Sequence, residues 1–234
     1  MGVQVVNSRP IIQDCMIRRF HHTAISVMGH LAEPTIRRTI CEHHEIGLVF
    51  ADRAGGIAEH NTMRANPGAG VAVLGAGAVP VVRSNSCKES RVGILFGESA
   101  GGLAVGNVCT GNGSGIVVGG RGTSPTLRDN VCRENHVVGL AFIDGASGLA
   151  AENACIGNAE DGIRVHGRGT VPTLRTNACI ANASSGISYL EGAGGMAENN
   201  NIEDNGCWGI YRDENSHPIL HHNVVSAHAR GEIH

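Results

Sequence analysis

The chain has 234 residues, 34 of them glycine, with 41% hydrophobic and only 3% aromatic residues and a formal charge of −3. That balance has no basic stripe and argues against a nucleic-acid partner, and no apolar run reaches transmembrane length. So few large side chains cannot fill a thick two-layer core. They suffice for a narrow one in which every coil is buried on its neighbours.

The N-terminus, Met1-Gly2-Val3-Gln4-Val5-Val6, lacks the charged and apolar regions of a signal peptide. Gly2 to Val5 reads instead as a glycine-aliphatic strand of a coil whose earlier part is missing. From there three residue columns keep one beat. Asn61, Asn85, Asn107, Asn130, Asn153, Asn177, Asn200 and Asn223 recur every 22 to 24 residues. A glycine followed by an aliphatic residue recurs from Gly47-Leu48 to Gly209-Ile210. Two residues after each column asparagine stands a small or apolar residue, among them Cys87, Cys109, Cys132, Cys155 and Cys179, with Cys41 earlier. The first rung is degenerate, with Cys15, Ile17 and Ala24 in these columns.

Units of this length are too short for helical-hairpin repeats and lack the leucine-rich signature. Each holds three short runs with period-two patterning; in the unit from Pro125 they are Thr126 to Arg128, Val131 to Arg133 and Leu140 to Ile143. Three strands per coil predict an all-β fold, a single-stranded parallel β-helix of about ten coils spanning 1–234 as one solenoid. Stacked at roughly 4.8 Å, ten coils give a rod on the order of 50 Å long. The general preference of parallel crossovers makes it right-handed.

A second layer lies five residues before the asparagine column, where Pro34, Gly56, Pro80, Gly102, Pro125, Gly148, Pro172, Gly195 and Pro218 alternate. Proline suits a strand entry because its φ is fixed, and glycine tolerates a tight turn there. The asparagines read as structural, taking left-handed backbone at a bend and stacking their amides coil on coil. The cysteines read as a stack of reduced core thiols, because in-register neighbours sit too far apart for disulfide geometry. Reduced thiols and the absence of a leader lead to an expected cytoplasmic location. Two charged columns stack as well: Asp52, Glu98, Arg121, Asp144, Arg168, Glu191 and Glu214, then Arg37, Glu59, Arg83, Arg128, Arg175 and Glu198. They predict ion-pair ladders that favour correct register.

Pro125-Thr126-Leu127-Arg128-Asp129-Asn130, Gly148-Leu149-Ala150-Ala151-Glu152-Asn153 and Pro172-Thr173-Leu174-Arg175-Thr176-Asn177 resemble the parallel β-helix repeats of carbohydrate-binding proteins and sugar hydrolases. The alternation is most similar to the β-helical region of F-box-only ubiquitin-ligase receptors and to bacterial β-helix proteins. The resemblance spans nearly the whole chain and implies a pectin-lyase-like solenoid. It does not imply an activity, because the shared residues are those that build coils.

A lyase on such a scaffold needs outward carboxylates for calcium and a base. The outward positions of the glycine-aliphatic strand are apolar instead: Val49, Leu74, Leu95, Val117 and Ile143 form a stripe that predicts an interaction surface. Toward the C-terminus the character changes. Arg164 and His166 point outward on one coil, Ser188 and Leu190 on the next, and Tyr211 and Asp213 on the one after, with Asp161 and Trp208 just before their strands. Asp161 and Asp213, two coils apart, would stand roughly 9 to 10 Å from each other, the upper edge for an inverting glycosidase. His21 and His44 share a column one coil apart, a sterically possible zinc pair that reads more simply as polar turn residues. No cofactor is expected. Gly231 to Ile233 starts an eleventh turn, and uncapped ends predict a longer rod or self-association through the ends or the stripe. The leading expectation is a non-catalytic module that presents the stripe to a protein partner. Its rivals are a carbohydrate-binding or carbohydrate-active protein using the polar end, and a purely structural rod.

Overall fold

The structure is a computed structural model and describes residues 2–19 and 21–234. Three parallel sheets wrap one narrow interior. Sheet A has eleven strands, from Val3–Val6 to Gly231–Ile233; sheets B and C have ten each, running from Ile11–Gln13 to Ile219–His221 and from Met16–Arg18 to Val224–Ser226. Each chain-consecutive strand enters the next sheet, so neighbours within a sheet are one coil apart. Val3–Val6 and Gly231–Ile233 are strands that pair onto the two ends of sheet A.

The two-coil repeat has a packing cause. Along sheet A the inward residues are Val27, Phe50, Val73, Phe96, Val118, Phe142, Val165 and Tyr189, aligned in register and buried. Along sheet B they are Ile36, Ala58, Val82, Ala104, Leu127, Ala150, Leu174 and Ala197. A coil that carries an aromatic ring on sheet A carries alanine on sheet B, and a valine coil carries a larger aliphatic residue opposite. Interior volume therefore stays level along the rod. The glycine markers belong to the aromatic coils: Gly56 (φ 102°) and Gly102 (φ 103°) adopt left-handed backbone, and a Cβ there would collide with the carbonyl oxygens of Pro34 and Pro80. Tyr189 takes a phenylalanine place in this scheme, and its buried hydroxyl has no partner.

Two ladders lock the corners that flank sheet C. At the B–C corner the Asn130 side-chain oxygen accepts both the backbone N–H (3.0 Å) and the side-chain N–H (2.9 Å) of Asn107, while its own amide donates to the Ala104 carbonyl (2.9 Å). The pattern repeats at Asn61, Asn85, Asn153, Asn177 and Asn200. The left-handed residue is not the asparagine but the one before it: His60, Ser84, Asp129, Glu152 and Thr176 have φ between 53° and 59°. The bend therefore strains the preceding residue, and the asparagine bridges the amides and carbonyls that the bend leaves unpaired.

A second ladder, five residues further on, stands at the C–A corner. Asn66, Asn112, Asn135, Asn158, Asn182 and Asn205 donate to the carbonyls of Cys41, Cys87, Cys109, Cys132, Cys155 and Cys179. The cysteine column is thus an inner core row whose backbone anchors this ladder. All eight cysteines are unpaired, and the six in the column are fully buried. Burial pushes the Cys41 thiol up to about 12.

The glycine-aliphatic column is explained by close approach, not by positive φ. A Cβ on Gly139 would lie 2.6 Å from the Gly162 carbonyl oxygen, 2.8 Å from the Asn158 amide nitrogen and 2.9 Å from the Cys155 Cβ. Only glycine lets the chain pass over both ladder and core row.

The charged columns behave differently from each other. Arg83 pairs with Glu59 (2.5 Å) and Arg175 with Glu198 (2.9 Å), each across one coil. Arg37 bonds the Gln13 side chain, and Arg128 reaches Glu152 at 3.0 Å. Arg121 and Arg168, expected between acids, make no ion pair among the described residues. Their stems lie over Gly145 and Gly192 of the next coil, where a Cβ would meet Arg Cγ at 2.7 and 2.9 Å.

Candidate functional site

The outer face of sheet A gathers the side chains that are not explained by coil building. Its central outward column runs Ser26, Val49, Ala72, Leu95, Val117, Ala141, Arg164, Ser188, Tyr211 in continuous register. Polarity changes between adjacent strands, from Ala141 to Arg164 and from Ile143 to His166.

The apolar part is recessed. Val49, Leu74, Leu95, Val117 and Ile143 are all half-buried, and none belongs to the strongly exposed hydrophobic residues. The expected exposed stripe is therefore a cleft: about 510 Å³, with Leu95, Val117 and Ile143 lining it together with Ile46, Val92 and Val137, and with Glu45 and Arg91 at one wall. The turns before each sheet A strand rise above the floor and form that wall. Val49 and Leu74 lie outside the cleft lining.

The polar part is built around Arg164. Its Nε donates to Asp161 Oδ2 at 2.8 Å and its Nη2 to Glu160 Oε2 at 2.6 Å. Asp161 is only 3% exposed; its Oδ1 accepts the Ser185 backbone N–H (3.0 Å) and its Oδ2 the Ser188 hydroxyl (2.8 Å). Burial works against the Arg164 charge, but Asp161 and Glu160 more than offset it and hold its pKa above the ordinary value. His166 Nε2 stands 3.3 Å from Glu191 Oε1. Trp208 and Tyr211 flank His234, at ring-centroid distances of 4.8 and 5.2 Å.

Asp213 is a turn acceptor. It takes the backbone N–H of Glu191 (2.6 Å) and of Asn215 (3.2 Å). The Ser216 hydroxyl, followed by backbone N–H donors, holds its carboxyl below the ordinary value of 3.8. Asp161 precedes its strand, Ile163–His166, whereas Asp213 follows its own, Trp208–Arg212. Five residues along the strand and two coils across separate them by on the order of 19 Å. The 9 to 10 Å expected from coil count alone omitted the offset along the strand. An inverting pair needs about 6.5 to 9.5 Å.

The histidine pair also reads differently in three dimensions. His44 is buried, with its ring Nε2 3.1 Å from the Ile17 carbonyl and its backbone N–H on Asn66 Oδ1. It occupies the first place of the second ladder, and His21 stands beside it, exposed, in a shallow depression with Arg19 and His43. Among the described residues no group of three or more His, Cys, Asp or Glu side chains is arranged to hold a metal ion. No helix is long and apolar enough to cross a membrane.

Sequence reasoning singled out Arg164 and His166 but not Glu160, Ser185 or Ser188, which bond Arg164 and Asp161. The only signal was spacing: Glu160 and Asp161 stand four and three residues before the arginine.

Comparison with known proteins agrees with this architecture. The family model described as the right-handed beta helix region matches residues 32–179 and 114–231, and the chain belongs to that family. It is similar in structure to a periplasmic alginate epimerase, AlgG (TM-score 0.75, 17% identity), covering 90% of this chain and 55% of that one. It is similar to the A-module of the Azotobacter vinelandii mannuronan C-5 epimerase AlgE4 (TM-score 0.69, 15% identity, 97% and 78% covered). Pectate lyase Pel9A is also similar (TM-score 0.67, 12% identity, 94% and 70% covered). At these identities the likeness is one of fold, and the chain spans about 55% of the length of the alginate epimerase. No curated protein sequence matches it.

Proposed function

We propose that the chain binds a carbohydrate on the outer face of sheet A, with the polar end around Arg164, His166 and Tyr211 recognising the sugar. The observation that carries this reading is the pre-set Arg164. Its guanidinium is oriented by two carboxylates, it is half-buried, and its column continues through a serine hydroxyl to a tyrosine. Fixed polar groups at the end of an apolar cleft are what a small-molecule or glycan site requires. Trp208 and Tyr211 add flat amphipathic surface for a sugar ring. Support also comes from the fold, since the three similar structures are those of two epimerases of alginate or mannuronan and of a pectate lyase.

Recognition without turnover fits the carboxylates best. Asp161 has both oxygens occupied and Asp213 closes a turn, so neither is poised to exchange a proton with a ligand. The half-burial of the stripe residues favours this reading over a protein partner.

The test is calorimetric titration with a polysaccharide panel that includes alginate and pectate. Binding by the native chain should weaken at least tenfold in both Tyr211→Ala and His166→Ala, with unchanged melting temperature. No binding across the panel, or binding indifferent to both substitutions, sinks the proposal.

A further inference from the structure

The cleft on sheet A is a different environment from the polar end it adjoins, and its chemistry restricts what can lie in it. Its floor is formed by strands Ile46–Ala51, Ala69–Leu74, Val92–Gly97, Ser114–Gly119 and Leu140–Ile143, whose backbone groups are engaged in the parallel ladders on both sides. No strand edge is open there, so a peptide cannot add by main-chain pairing. A peptide or a bare sugar would place amides or hydroxyls against Leu95, Val117 and Ile143 with almost nothing to bond, which is unfavourable for every buried polar group. The only charged lining residues, Glu45 and Arg91, stand at the wall. A chain of methylenes meets the floor without that penalty.

The same floor continues in register into Arg164, Ser188 and Tyr211. A ligand of uniform polarity satisfies one half of this face and leaves the other empty. We infer that the ligand is an acylated saccharide, with its acyl chain in the cleft over Leu95 and Val117 and its sugar on the polar end. The inference rests on the carbohydrate reading for the sugar and on the cleft alone for the chain.

The experiment uses n-alkyl maltosides of eight, ten and twelve carbons, each below its micelle concentration, with maltose as the chain-free control. Affinity for the native chain should rise with chain length, by up to about fourfold per methylene if each is fully buried. Leu95→Asp should flatten the series while polysaccharide binding is retained. Val117→Ser should reduce the slope, and serves if the melting curve shows that Leu95→Asp does not fold. Affinity that is independent of chain length overturns the inference, and so does a slope unchanged in both variants; polysaccharide binding that persists then leaves the carbohydrate reading standing. A slope that survives with no polysaccharide bound and no effect of Tyr211→Ala overturns the joined ligand and the carbohydrate reading together.

Discussion

The two corners flanking sheet C face the same physical problem and tolerate different solutions. At each, one residue bends left-handed, leaving a backbone N–H and an inner carbonyl to be bridged. The B–C corner uses asparagine at every place from Asn61 to Asn223 and departs from it only at its N-terminal end, at Cys15 and Thr39. The C–A corner uses asparagine at six places but accepts Ser90, whose hydroxyl oxygen takes the Asn66 N–H (3.2 Å) and whose proton returns to Lys88 (3.3 Å). It also accepts histidine at its ends. His228 takes the Asn205 N–H on Nδ1 (3.1 Å) and stands 3.2 Å from the Ile202 carbonyl at Nε2, matching the acceptor and donor of an asparagine amide. The corner demands one acceptor and one donor at a fixed spacing, not a residue type. Asparagine supplies them on separate atoms, so that it reaches the N–H of the coil before and the inner carbonyl at once.

The comparison can be broken most severely where the chain runs closest to the second ladder. Gly139→Ala drives a methyl into the Gly162 carbonyl and the Asn158 amide and should cost ~3 kcal/mol or more, read as a large fall in urea midpoint. A stable variant would mean that the coils can separate locally. Next come the ladders themselves: Asn130→Ala strands the Asn107 N–H and the Ala104 carbonyl, Asn135→Ala strands the Asn112 N–H and the Cys109 carbonyl, and each should cost about 2 to 4 kcal/mol. If the B–C corner is the stricter one, Asn130→Ser will cost more than Asn135→Ser in the same denaturation assay; equal costs would show that the two corners differ only in history.

Ser90→Asn gives this place a donor that reaches the core-row carbonyl, where the Ser90 hydroxyl donates to the Lys88 carbonyl instead, and should stabilise by roughly 1 kcal/mol, seen as a raised melting temperature. The smallest effect is outside the ladders, at Asp213. Its lowered native pKa means that its stabilisation is fully present above the ordinary value of 3.8 and is lost as pH falls through the native value. Asp213→Asn should therefore lower stability modestly in the neutral range and flatten the acid limb of the profile, the two proteins converging below about pH 4.

Much of this was legible because a solenoid writes its architecture into one dimension. The Asn61 to Asn223 column, the glycine-aliphatic column and the cysteine row each repeat a single contact, and the contact partner of residue i is always one coil away. The second ladder hid behind Ser90, His44 and His228, although an asparagine stands five residues after the other six column places from Asn61 to Asn200. The Phe/Ala and Val/Leu compensation hid for another reason. It relates residues on opposite sheets of one coil, and no periodicity within a single column exposes it.

The sequence by itself determined the number of coils, three strands per coil, the inward and outward faces and the outward order from Val49 to Tyr211, because those follow from period two within strands and period 22 to 24 between them. Only the tertiary structure decided that the stripe is a cleft, that Asp161 is a buried support for Arg164 and that Asp213 closes a turn far from it. Those depend on the height of the turns around a sheet and on offsets along a strand, quantities that no repeat spacing carries.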